Sequence, residues 1–313
     1  ARTVLLDLVQ RADVLLDPFR PGVLEKLGLG PEECFKRNNK LVFARISGFG
    51  QTGKSAKMAG HDINYLSMSG ALHTFARHGD RPHFPQNLLA DMAGGGLMCA
   101  FGIVAALLER QKSGLGQVID VSMTDSVSYL ASMSYVARNM LYSQPVGTNM
   151  LDGGAHFYDT YRCSDGKFMA VGAIEPQFYS ALLQGLGIPS NHDIWTNQMD
   201  ASRWPEFKTY LQSVFATKTQ AEWAKTFAGT DACATPVLNW DELDPRVLVE
   251  VGDEKQVAPA PLLSRTPAHA APLEPEVGQH TRQVLESWLS EKQIAALAEK
   301  GAIAGANVLK AKL

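Results

Sequence analysis

The chain has 313 residues, 45% of them hydrophobic and 19% charged, which is enough for a large core and for two domains. Its net charge of −3 supplies no basic field, so composition excludes a nucleic-acid-binding surface as the organising feature. The longest apolar run, 97–108, is too short to span a bilayer and ends at Glu109-Arg110, so no membrane span is expected.

In chain order, residues 3–11 have helical periodicity, and Asp13-Val14-Leu15-Leu16 reads as a short buried strand ended by Asp17-Pro18. A short helix at 24–27 closes on Gly28 and Gly30. Pro31 then opens another helix, with Glu32 and Glu33 at its positive end. Residues 41–46 form a second buried strand. This alternation predicts an α/β fold built on a parallel sheet. The stretch after it, SGFGQTGKSAKMAGHDINY (47–65), is punctuated by Gly48, Gly50, Gly53 and Gly60, and a helical pattern starts at Asp62. His61 therefore stands where a glycine-rich loop meets a helix start, where unpaired N–H groups attract negative charge. There it serves either as an acid/base group beside an anion or as a capping histidine.

Residues 87–112 are helical in length, and Gly94-Gly95-Gly96 marks a close backbone approach or a break. Asp91 follows Asn87 by four residues, on one helical face, among apolar neighbours. It is either a buried acid with a raised pKa or a solvated or capping aspartate. A strand at 117–121 and a helix at 124–140 come next, with scattered Met residues that fill core or form an adaptable apolar surface. Residues 158–163 and 167–171 flank Ser164-Asp165-Gly166, a hairpin signal. Glu175 begins a helix to 186 and is either a first-turn glutamate or a functional acid. Helices at 204–215 and 220–227 follow, the second with a Thr219/Glu222 capping box. Prolines 259, 261, 267, 272 and 275 mark an extended linker before a terminal helical region at 280–300.

The four cysteines lack CxxC spacing and are expected as free thiols. No metal-ligand spacing, nucleophile elbow or Walker loop appears. The residues alone therefore lead to an α/β enzyme with an acid/base His and Asp.

The stretches ISGFGQTG, AGHDINYLSMSG, PQNLLADMAGGGLMCA, GQVIDVSM, NMLDGGAHFYDTYRCSDGKFMAVGAIEPQFY and GTDACATPVL resemble the alpha-methylacyl-CoA racemases of the family III CoA-transferase (CaiB/BaiF) group. The resemblance runs from about Ala12 to the C-terminus. It implies a Rossmann-like large domain plus a smaller α+β domain in an interlocked dimer. The expected organisation is a large CoA-binding domain at 1–135, a small domain at 150–245, a linker at 246–275, and a segment at 276–313 that returns to the large domain.

By resemblance, His61 and Asp91 match the two catalytic bases, and Glu175 matches an acid that orients the histidine from the partner subunit. Gly60, His61, Asp62, Ile63, Asn64 and Tyr65 match CoA-contacting positions, Arg20 and Lys26 match basic positions on the CoA side, and Asn87 is expected with the substrate- and CoA-binding residues. The implied substrate is a 2-methylacyl-CoA thioester of branched-chain fatty acid and bile acid intermediate metabolism. CoA is part of that substrate and no separate cofactor is implied. Inside the same group, an aspartate matching Asp91 serves CoA transferases as a nucleophile.

The ending Ala311-Lys312-Leu313 is a close variant of a peroxisomal address and implies an import receptor as partner, with mitochondria a second site for the family. Two departures stand out. The family carries further residues before the point matching Ala1, so the chain reads as a fragment or as one impaired in CoA binding. His156 also replaces the usual proline.

Overall fold

The structure is a computed structural model and describes residues 2–270, 275 and 278–303. Its elements, in order, are α1 (Arg2–Val9), β1 (Val14–Asp17), α2 (Val23–Lys26), α3 (Pro31–Phe35), β2 (Val42–Ser47) and α4 (Asp62–Met68). A π-helical stretch, Leu88–Leu97, runs into α5 (Met98–Ser113), followed by β3 (Gln117–Ser122), α6 (Met123–Leu130) and α7 (Ser132–Val136). Then come β4 (Tyr158–Arg162), β5 (Phe168–Gly172), α8 (Pro176–Gly185), α9 (Trp204–Phe215), α10 (Gln220–Phe227) and β6 (Ala234–Pro236). The last elements are β7 (Leu248–Val251), β8 (Glu254–Val257), α11 (Thr281–Glu286) and α12 (Glu291–Glu299).

The chain divides into two compact units, one of Asp13–Phe35 and Asn39–Val237, the other of Ala1–Ala12, Lys36–Asn38 and Leu238–Leu313. In the first, β1, β2 and β3 make a parallel sheet with β2 in the middle, Val14 beside Val42 and Val42 beside Gln117. A strand covered on both faces is apolar throughout, and Val42, Phe43 and Ala44 are fully buried. One face packs on α5 through Ala44, Cys99 and Val121. The buried polar exceptions are paired: Arg45 Nη1 donates to Glu25 Oε1 at 2.7 Å, and Arg45 Nε stands 3.0 Å from Asp17 Oδ2 as an ion pair.

The second half of this unit is an antiparallel sheet, β4-β5-β6, under α8, α9 and α10. The Asp165-Gly166 turn joins β4 to β5, with Gly166 at φ +82°. Its core holds Phe157, Met169, Leu182, Phe207, Phe215 and Trp223, all essentially inaccessible. Two of its buried polar groups find backbone partners: Trp223 Nε1 donates to Phe215 O at 2.9 Å, and Tyr179 Oη donates to Ile194 O at 2.9 Å.

In the other unit, Leu6 and Val9 of α1 are buried, as are Leu285 of α11 and Ile294 of α12. Asn38 Nδ2 donates to the carbonyls of Val9 and Ala12 at 3.0 and 2.9 Å, which caps the end of α1.

Of the two readings of the glycine triplet, close approach holds and the break does not. Gly94 and Gly95 are buried against α6 and Ile46 of β2. Leu88–Ser113 is continuous over 26 residues, which by length and composition is enough to cross a membrane and is longer than the apolar run expected from the sequence. Other expectations need correction. The expected helix at 124–140 is interrupted at Ala131. The expected linker at 246–275 contains the β7–β8 hairpin. The terminal Ala311-Lys312-Leu313 lies outside the described residues.

Candidate active site

The glycine-rich loop is a seat for one aromatic ring. A Cβ on Gly48 would fall 2.0 Å from Tyr65 Cε1, and one on Gly60 2.7 Å from the same atom. No side chain fits either place. The Tyr65 ring meets Phe49 edge-on at 5.0 Å, and its hydroxyl donates to Gly60 O. The loop is thereby tied back onto the first turn of α4. His61 precedes that turn in extended conformation, at φ −130° and ψ 178°. Its N–H donates to Asn64 Oδ1 at 3.1 Å, so its backbone is fixed while its ring is exposed to solvent. Asn64 N and Tyr65 N already donate to His61 O, at 2.8 and 3.2 Å, so the N–H groups to which the helix itself offers no partner are those of Asp62 and Ile63.

The second candidate, Asp91, sits at the start of the π-helical stretch. There Met92 N donates to Asn87 O at 3.3 Å, a five-residue step. Asp62, next to His61, is 4% exposed. Its Oδ2 accepts from Ala90 N and Asp91 N, each at 2.8 Å. The two candidate bases are therefore held at adjacent helix starts by a single carboxylate. The carboxyl of Asp91 is pushed above the ordinary aspartate range, first by burial and next by the Asp62 charge. A hydrogen bond from Asn87 and the nearby His61 oppose this. Burial also raises the Tyr65 phenol, with Asp91 adding to the rise and Arg20 opposing it.

The structure thus gathers Arg20, Gly60, His61, Asp62, Tyr65, Asn87 and Asp91 into one site. Ile63 lies exposed on α4, as does Asn64, which is tied to His61 through its amide oxygen; Lys26 lies exposed on the last turn of α2. Glu175 is the exposed residue before α8 and, among the described residues, contacts neither His61 nor Asp91. A cavity of about 1570 Å³ lined by His73, Arg77, Tyr135, Asp159 and Cys233 lies elsewhere in this unit and includes none of the three acid/base candidates. Reasoning from residues alone missed the Asp62 clamp, because its partners are 28 and 29 positions away. His156, the departure from the family's proline, is fully buried in the β4–β6 core, away from this site.

Chemically, a histidine and an aspartate with a raised pKa, fixed at neighbouring helix starts, can exchange protons with a molecule between them. The whole of 1–281 matches the model of CoA-transferase family III. The alpha-methylacyl-CoA racemase of Mus musculus is 51% identical over 99% of this chain and 84% of its own length. That of Homo sapiens is 50% identical over 99% of this chain and 83% of its own. Among solved structures, a CaiB/BaiF family protein from Brucella suis superposes with a TM-score of 0.78 at 23% identity, covering 92% of this chain and 78% of that one. The chain belongs to CoA-transferase family III.

Proposed function

We propose that the chain is an isomerase, an alpha-methylacyl-CoA racemase that interconverts (2R)- and (2S)-2-methylacyl-CoA thioesters. The carrying observation is the coincidence of about 50% identity to two racemases so named with a His61/Asp91 pair tied together at two helix starts. In the proposed reaction the thioester carbonyl acidifies the α-proton. Neutral His61 takes that proton from one epimer, leaving an enolate, and protonated Asp91 delivers a proton to the opposite face. The reverse direction uses charged His61 and ionised Asp91. The enolate oxygen is stabilised by N–H donors at the start of α4, and one such donor contributes about 3 kcal/mol. CoA enters as part of the substrate, contacted by the Gly60–Tyr65 segment with Arg20 and Lys26, and no cofactor is needed.

Glu175 has the role of orienting His61 across a homodimer. An exposed apolar stripe along Leu88–Ser113 supports such an assembly: Leu97, Phe101, Val104 and Leu108 repeat at helical spacing and are all exposed. Exposed Met92, Met133 and Met140 support an adaptable surface for the acyl chain. Localisation in peroxisomes through the Ala311-Lys312-Leu313 tail, with mitochondria as a second site, and a place in branched-chain fatty acid and bile acid intermediate metabolism belong to the same proposal.

Incubation of a 2-methylacyl-CoA in D2O should exchange the α-proton, with exchange lost in His61→Ala and Asp91→Ala. Wild-type rates in both variants would refute the two-base assignment. The second reading, favoured by the family's transferase members, makes Asp91 a nucleophile that forms an acyl anhydride. Its signature is a covalent acyl-Asp91 adduct trapped by hydroxylamine.

A further inference from the structure

We propose that Asp62 is a positioning residue for the proton-transfer pair: its carboxylate locks the second base in place and couples that base to the first. The proposal rests on the two-base reading above. Three observations carry it. Asp62 Oδ2 accepts two backbone N–H groups, those of Ala90 and Asp91, so one oxygen fixes the main chain of Asp91 against the helix that His61 opens. The residue is almost wholly buried, which makes the clamp rigid and keeps the charge from being screened by water. Its other oxygen, Oδ1, is buried and accepts no hydrogen bond among the described residues. A carboxylate used only to cap a helix needs one oxygen. Burying the second without a partner is unfavourable for stability, so capping alone does not account for this carboxylate.

The surroundings isolate this charge as the dominant neighbour of Asp91. The groups that act on Asp91 are Asp62 and His61 from α4 and the amide of Asn87, while Tyr65 of α4 is coupled to it. The remaining elements packed on the π-helical stretch carry Arg45 on β2, Asp120 on β3, Asp125 on α6, and Glu109, Arg110 and Lys112 at the far end of α5. None of these is among the groups that shift Asp91. The Asp62 charge opposes ionisation of Asp91, and the hydrogen bonds hold it in reach. One residue thus sets both where the second base stands and when it carries a proton.

Asp62→Asn separates the two effects, because an amide oxygen still accepts from both N–H groups while the charge is gone. The midpoint of Asp91 is read in the full chain by carbon-13 carboxyl NMR, assigned through Asp91→Asn, alongside the pH profile of α-proton exchange with a 2-methylacyl-CoA. In D62N the Asp91 midpoint and the matching limb of the exchange profile should both move to lower pH. Asp62→Ala, which removes the clamp as well, should lower exchange at the optimum by a further factor on the order of 100. Should D62A fail to fold, D62N still decides. Exchange by the wild type with an unmoved Asp91 midpoint in folded D62N overturns this proposal alone. Absence of exchange by the wild type overturns the two-base reading, and this proposal with it.

Discussion

His156 offers a direct test of how strongly the β4–β6 core excludes charge. Its ring is fully buried among Phe157, Tyr179 and Phe207, with centroids 5.2, 5.6 and 5.1 Å away. Because Tyr179 Oη spends its proton on Ile194 O, it accepts from His156 Nε2 at 2.6 Å. That assigns the proton to Nε2 and leaves Nδ1 buried without a partner among the described residues. Burial, with the Lys208 charge as the second cause, pushes the imidazole down from 6.5 to about 3.

The sign follows from linkage. Between those values the unfolded chain binds a proton that the folded chain refuses, so stability falls as pH falls below 6.5 and continues to fall until about 3. At about 1.4 kcal/mol per pH unit, the His156 contribution between pH 6.5 and 4.5 is a loss of roughly 2 kcal/mol. The assay is urea unfolding followed by tryptophan fluorescence, since Trp204 and Trp223 lie in the same core. His156→Leu removes the titration. Its lost aromatic contacts lower stability equally at both pH values, so the readout is the gap between wild type and variant. The gap should narrow, or change sign in favour of the variant, by roughly 2 kcal/mol from pH 6.5 to 4.5. A gap independent of pH would refute the argument that this core holds the imidazole neutral.

Two further outcomes are expected. In the glycine triplet, Gly94→Ala places a methyl 2.9 Å from Val127 Cγ2 and 3.1 Å from the Met123 carbonyl. It should therefore destabilise by about 1–3 kcal/mol. Gly96→Ala meets nothing nearer than its own helix at 3.9 Å and should stabilise by up to about 1 kcal/mol; thermal denaturation of the two variants separates a packing requirement from simple helix propensity. On the exposed apolar stripe, Phe101→Glu should lower the mass found by light scattering from two chains to one, and an unchanged mass would remove the stripe as a dimer surface.

Much of the fold was legible where local pattern and tertiary need agree. Residues 41–46 read as a buried strand because a central parallel strand is apolar on both faces. The Asp165-Gly166 turn and the Thr219/Glu222 capping box read correctly because their hydrogen bonds close within a few residues. Residues 87–112 read as helical in length, but whether the glycine triplet breaks that helix was not legible. Three glycines weaken a helix locally, and the compensating contacts with Met123 and Val127 come from a segment about thirty positions on. The site divides the same way. The place of His61 before α4 was readable from the glycine-rich loop and the pattern after it. Asp91 as its partner came only through the family resemblance. The carboxylate that joins them was not readable, because neither α4 nor the π-helical stretch signals the other in its own sequence. Glu175 marks the limit of a single chain, since it starts α8 as expected yet has no recorded contact with His61.

The π-helical stretch also constrains how this chain can change length. Leu88–Leu97 holds one more residue per hydrogen-bonded turn than the α-helix it feeds. A one-residue deletion there could be absorbed by reverting to ordinary helical bonding without unfolding anything. Because a wide turn takes up its extra residue within about one turn, the two ends of the repaired helix would stay nearly in phase. What would change is the local path at Asn87–Met92, where Asp91 N meets the Asp62 clamp. A shortened chain could therefore keep its fold and its exposed stripe while losing the placement of Asp91.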